Sequence, residues 1–165
     1  MFPEDVLAQA RDVLAKFEAA RCKVATAESC TGGLIAGALT EIAGSSSVVE
    51  RGFVTYSNEA KVELLSVPGE LIARMGAVSA EVAEAMSVGA IAHSRADVAI
   101  SVTGIAGPGG ETPGKPVGLV YFGITRRGGA VRHERQVFPG DRSEVRLATV
   151  RFALGLLAGV NLTNL

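Results

Sequence analysis

Val6, Leu7, Ala10, Val13, Leu14 and Phe17 recur at helical spacing behind Pro3, with polar residues between them, so residues 3–21 are predicted to form an amphipathic helix. The period then changes. Lys23 to Ala27 is a short apolar run with β-branched Val24 and Thr26, which predicts a strand. Helical spacing returns at Leu34, Ile35, Ala38, Leu39 and Ile42, and Gly44 is placed to end that helix in a left-handed cap. A second strand is expected over residues 48–56, and a short helix over 57–67 that stops before Pro68. This leaves Tyr56 and Lys61 on either side of a strand-to-helix junction.

PGELIARM supplies a further turn of helix, and Ser79 is a fitting N-cap, with Glu81 in the first turn, for a helix reaching Ala92. The face of that helix is built from Val82, Ala85, Met86, Gly89 and Ala90, small enough for close packing on a sheet. Asp97 to Thr103 reads as a buried strand. It runs into residues 104–116, whose five glycines and three prolines predict a long loop. VGLVYFGIT and AVRHERQVF flank Arg126 to Gly129 as an antiparallel hairpin. Asp141 and Glu144 form a D-x-x-E capping box for a last helix over 142–158, with Val145, Ala148, Phe152 and Leu156 expected inward.

Helices interleaved with β-rich runs predict one domain, residues 1–165, built as a three-layer α/β/α sandwich on a mixed, mostly parallel sheet with one antiparallel hairpin. Such sheets bind ligands at the carboxyl ends of their strands. The turns 28–33, 56–61 and 103–110 all follow strands and are expected to line one cleft.

Composition narrows the function. A chain of 165 residues with 48% hydrophobic content can bury a sizeable core. Sixteen basic against seventeen acidic residues, with a pI near 6.1, give no broad electropositive field and argue against a nucleic-acid partner. The opening MFPEDVLAQARD carries acids where an export signal has a basic flank, and stretches such as FALGLLAGV fall short of the roughly 20 residues that span a bilayer. No membrane association is expected. Cys22 and Cys30 are too few for a disulfide framework and lack zinc-ligand spacing, which fits a reducing cytoplasm.

The chemistry concentrates in ATAESCTGG, residues 25–33, where a carboxylate, a hydroxyl and a thiol precede two glycines. Backbone N–H groups of Thr31, Gly32 and Gly33, at the start of a helix taken to begin at Thr31, can receive a phosphate or an oxyanion. The simpler reading is that Ser29 or Thr31 only caps the helix and the glycines allow tight packing. Ser29 as a nucleophile needs a base. His93 at a helix end and His133 on a hairpin strand are poorly placed, leaving the Ser–Lys variant with Lys61, whose pKa would have to be lowered by desolvation. A carboxylate such as Glu28 beside that lysine would oppose the shift. Cys30 competes as a nucleophile or is a buried filler. Arg142 can clamp a phosphate or carboxylate or be a surface cation. Thr103, Gly104 and the loop beyond them can shape a pocket or simply turn the chain.

Taken together, AESCTGG at 27–33, VTYSNEAKVELLSV at 54–67, GAVSAEVAEAM at 76–86, SVTGIAGPGG at 101–110, GLVYFGI at 118–124 and FPGDRSEVR at 138–146 resemble the CinA C-terminal domain family in its stand-alone form. The resemblance implies hydrolysis of the carboxamide of nicotinamide mononucleotide, without a cofactor or metal, to nicotinate mononucleotide and ammonia. It puts Ser29 on the nucleophile, Lys61 on the base and Tyr56 as a catalytic residue assisting them, with Thr103 and Arg142 in the substrate pocket. It further implies a cytoplasmic homodimer acting on a small pyridine nucleotide. Two other functions fit the same motifs: a non-enzymatic nucleotide-binding or interaction module, and an amidase for a different small amide. A Cys30 hydrolase is a third.

Overall fold

The computed structural model describes residues 1–163. Five strands, β1 (Val24–Glu28), β2 (Val49–Val54), β3 (Val98–Gly104), β4 (Leu119–Arg126) and β5 (Val131–Val137), form one sheet in the order β2-β1-β3-β4-β5. β1 pairs in parallel with β2 and β3, whereas β4 is antiparallel to both β3 and β5, so only β4 runs against the rest. This is the mixed sheet with one hairpin that the sequence predicts.

Six α-helices cover it: α1 (Glu4–Ala19), α2 (Leu34–Thr40), α3 (Asn58–Leu65), α4 (Gly69–Met75), α5 (Ala80–Ala92) and α6 (Arg142–Ala158). Alternation along the strands separates two cores. Val24, Val98, Ile100, Val102 and Phe122 pack under α1, α2 and α6, while Ala25, Ala27 and Ala99 face Leu65, Ile72, Val82 and Met86 from α3, α4 and α5. The second face is built from small residues because α5 lies close against the sheet. A Cβ on Gly123 of β4 would stand 2.2 Å from the Ala83 carbonyl oxygen, and one on Gly89 of α5 would stand 2.0 Å from Leu65 O. Only glycine fits at either place.

Caps follow the sequence. Ser57 accepts from Ala60 N at 3.0 Å, Ser79 from Val82 N at 3.3 Å, and Asp141 with Glu144 closes the capping box of α6. Three details differ. α2 begins at Leu34 rather than Thr31, because Gly33 takes the left-handed conformation at φ 98°. Gly44 is also left-handed, at φ 85°, but it leads into a short 3-10 turn, Ser45–Ser47, after α2 has ended at Thr40. On α6, the buried face is Val145, Thr149, Val150, Ala153, Leu154 and Leu157. Ala148, Phe152 and Leu156 are rotated to its flank, where with Phe138 and Gly155 they line an apolar groove. There Phe152 packs on Phe122 and Phe138, at ring separations of 4.8 and 6.1 Å. The buried set keeps the helix period, and Phe152 and Leu156 pack against the core in part. Among the described residues no helix is long and apolar enough to cross a membrane.

Candidate active site

The carboxyl ends of β1, β2 and β3 lie side by side, and the turns that leave them meet in a cleft of about 240 Å³. Ser29 and Lys61 lie at its base with Thr103 and Gly104 beside them, and Tyr56 and Arg142 stand in its wall. Two backbone bonds hold the junction: Ser29 N donates to Val102 O at 3.0 Å, and Thr55 N donates to Glu28 O at 2.8 Å.

The strand period explains how two adjacent polar residues separate. Glu28 continues the Val24–Thr26 face and turns toward α2. Its carboxylate accepts from Thr31 Oγ1 at 2.6 Å, Gly33 N at 3.1 Å, Ile35 N at 3.0 Å and Ala36 N at 2.9 Å. It thereby satisfies the orphan donors at the start of α2. These donors are therefore closed to a substrate. Gly32 N donates to Ser29 O at 3.0 Å, so the N–H groups of Gly32 and Gly33, read from sequence as anion ligands, are both committed inside the protein. The Thr31 hydroxyl is committed as well. The N–H groups of Cys30 and Thr31 have no acceptor in another residue among the described residues; Cys30 lines the cleft, and Thr31 is fully buried behind it.

Ser29, 8% exposed, faces the opposite layer, where Lys61 from the second turn of α3 reaches it. Lys61 is 1% exposed; its Nζ lies 3.0 Å from Ser29 Oγ, 2.8 Å from Thr55 O and 3.5 Å from Ser57 O. A neutral amine has two N–H bonds and one lone pair. With the two carbonyls taking the N–H groups, the lone pair is left for the serine hydroxyl. Burial lowers the Lys61 pKa from the usual 10.5. A Cys30 thiolate would oppose this, but burial pushes the Cys30 thiol up to about 12, so it stays neutral. Glu28, the carboxylate that threatened the base from the sequence, is turned away and spent on α2.

Cys30 is 6% exposed and belongs to the core under α2 and α6, as a small apolar filler. His93 shares a 2.8 Å hydrogen bond with Ser66, and His133 one of 2.8 Å with Glu84, both outside the cleft. Tyr56 is 60% exposed at the rim, and its hydroxyl accepts from Arg142 Nη2 at 2.9 Å rather than meeting Lys61. Arg142 Nη1 donates to Gly107 O at 2.8 Å. No carboxylate pairs with Arg142 among the described residues, so the rim carries an uncompensated cation. Thr103 donates to Ala77 O at 2.8 Å and pins the wall formed by Ala77 and Val78. Sequence reasoning passed over Asn58, Ala77 and Val78, which also line the cleft, and Arg146, whose Nε and Nη2 donate to Cys30 O and Thr31 O at 3.1 and 2.9 Å. An arginine one turn inside a helix carries no local signature of such a contact.

Ser29 and Lys61 are thus brought together, buried, at the carboxyl edge of a mixed α/β/α sheet. The family model described as the CinA C-terminal domain matches residues 7–160, and the chain belongs to that family. A CinA-like protein of Akkermansia muciniphila is 53% identical over 82% of this chain, which spans 33% of that relative's length. A nicotinamide-nucleotide amidohydrolase, PncC, of Enterobacter agglomerans is 53% identical, over 79% of this chain and 80% of its own. Among solved structures, the competence/damage inducible protein CihA of Agrobacterium tumefaciens superposes with a TM-score of 0.93 at 53% identity, covering 95% of this chain and 96% of that one. A CinA superfamily protein of Escherichia coli gives 0.90 at 36% identity, covering 97% and 94%.

Proposed function

We propose that this domain is an amidase that hydrolyses the carboxamide of nicotinamide mononucleotide through a Ser29–Lys61 dyad and an acyl-enzyme. The observation that carries the proposal is the 3.0 Å approach of Lys61 Nζ to Ser29 Oγ in a buried site where the amine's other directions end on carbonyl oxygens. The likeness to a nicotinamide-nucleotide amidohydrolase over 80% of that relative's length supports the choice of substrate.

Neutral Lys61 takes the Ser29 proton as Oγ bonds to the amide carbon, and the N–H groups of Cys30 and Thr31 receive the oxyanion. The lysine then gives its proton to the departing nitrogen. The C–N bond breaks, ammonia leaves, and a nicotinoyl ester remains on Ser29. Water, deprotonated by the same amine, attacks the ester and releases nicotinate mononucleotide, with the proton returned to Ser29. Arg142, its orientation set by Tyr56 and Gly107, binds the phosphate, and the wall pinned by Thr103 bounds the ring. Cytoplasmic residence and a homodimeric assembly complete the proposal. The first rests on the free thiols of Cys22 and Cys30, the second on the family resemblance.

Ammonia release from nicotinamide mononucleotide by the purified protein, beside Ser29→Ala, is the direct test. Release by the wild type and loss of roughly two or more orders of magnitude in the variant support the proposal. Tight binding of the nucleotide without ammonia release would replace it with the binding-module reading.

A further inference from the structure

We propose that Arg146 is a positioning residue that builds the oxyanion hole, an inference that rests on the Ser29 acyl-transfer reading. Cys30 N–H, at the cleft, and Thr31 N–H, buried behind it, are the donors of the nucleophile turn with no acceptor in another residue among the described residues. In a trans peptide the N–H points away from the C=O of the same unit, so whatever holds the carbonyl aims the N–H. The Ser29 carbonyl, which shares a peptide unit with Cys30 N, is held by Gly32 N at 3.0 Å. The Cys30 carbonyl, which shares a unit with Thr31 N, is held by Arg146 Nε at 3.1 Å. Arg146 Nη2 fixes the next carbonyl, Thr31 O, at 2.9 Å, so one planar guanidinium spans two successive peptide units.

The charge matters as well as the geometry. No carboxylate pairs with Arg146 among the described residues, so its full charge falls on the two carbonyls and polarises the peptide unit whose N–H is Thr31's. An oxyanion held there gains from both effects only once negative charge has formed, which is the condition for accelerating the chemical step rather than tightening ground-state binding. Arg142 and Arg146 are four residues apart on one face of α6, so a single helix sets both the cation at the rim and the donors at the base.

The experiment measures the rate at which p-nitrophenyl acetate acetylates Ser29, with transfer of the acetyl group to Oγ and release of p-nitrophenolate. It compares wild type, Arg146→Ala and Arg146→Lys, locates the acetyl group by mass spectrometry, and checks folding by thermal unfolding. This small ester needs no phosphate contact, and its acylation passes through the same oxyanion. Expected is a fall of about 10- to 100-fold in Arg146→Ala, with partial recovery in Arg146→Lys, whose single ammonium cannot span both carbonyls. With nicotinamide mononucleotide, kcat should fall by a similar factor while KM holds. An Arg146→Ala protein that is folded and acetylated as fast as wild type overturns the assignment. So does a variant that raises only KM. A wild type whose Ser29 is never acetylated overturns both this inference and the dyad. Acetylation at Ser29 slowed by Arg146→Ala, in a protein inert toward nicotinamide mononucleotide, leaves Arg146 in place and removes only the proposed substrate.

Discussion

Glu28 and Ser29 are neighbours in the chain and serve opposite faces of the sheet: the carboxylate accepts four hydrogen bonds around the start of α2, while the hydroxyl lies 3.0 Å from Lys61 Nζ of α3. In the proposed Ser29–Lys61 chemistry, this division lets an acid sit next to the nucleophile while its base stays uncharged. Replacing Glu28 tests it. Glu28→Gln turns an acceptor-only group into one that presents an amide donor to N–H groups, leaving at least one without a partner. A loss of about 1–3 kcal/mol in urea unfolding is expected, larger than its effect on KM. A variant as stable as wild type would show that the carboxylate is not what anchors the turn.

The lowered pKa of Lys61 gives a signed dependence on pH. The acting form is the neutral amine, so kcat/KM falls as pH drops through the Lys61 pKa, and that limb lies below the usual lysine value of 10.5. Stability follows from the same shift. Between the folded and unfolded values the unfolded chain binds more protons, so the Lys61 contribution to stability rises with pH across that window and burial of the charged form costs most below it. The difference in unfolding free energy, wild type minus Lys61→Met, should therefore increase with pH there. A flat or falling difference would mean that Lys61 is not desolvated.

Arg142 carries charge at the rim, away from the reacting atoms. Arg142→Ala should raise KM for nicotinamide mononucleotide by about 10-fold or more with a smaller change in kcat, and should erase the preference for the nucleotide over nicotinamide riboside, which lacks the phosphate. Steady-state kinetics on both compounds decide it. An unchanged nucleotide-to-riboside ratio would move the phosphate elsewhere.

Cys30 lines the same cleft but is held neutral by burial, with its pKa pushed to about 12. Cys30→Ala should keep kcat within about threefold of wild type, because a packed filler contributes stability rather than chemistry. Abolished turnover in a folded Cys30→Ala protein, with activity retained in Ser29→Ala, would make the thiol the nucleophile.

The sheet was legible in the sequence because each strand is a short β-rich run bounded by turn residues, and the hairpin because VGLVYFGIT and AVRHERQVF lie on either side of a glycine turn. At the site, the residues alone made Lys61 the best candidate base while leaving a surface lysine open, and the resemblance to the CinA C-terminal domain family put it with Ser29; the structure brings the two side chains to 3.0 Å. The direction of Glu28 was not, since it depends on which face of β1 receives α2. The start of α2 was placed three residues early because the left-handed Gly33 breaks the turn that precedes it. Arg146 was invisible because its carbonyl partners are more than a hundred residues away in sequence. The inward face of α6 was misjudged by one strip: Val145 is buried as expected, but Thr149, Ala153 and Leu157 are buried where Ala148, Phe152 and Leu156, one residue earlier in the same helix period, are half-buried.

Ammonia release by Lys61→Arg is the sharpest measurement, because arginine matches the protonated form of lysine and much of its length yet cannot give up a proton near neutral pH. The Ser29–Lys61 account predicts a folded protein with turnover down by about two orders of magnitude or more, and a Ser29→Ala/Lys61→Arg double variant scarcely worse. Turnover near the wild-type rate in Lys61→Arg would contradict it, since a permanently charged side chain could not have taken the serine proton.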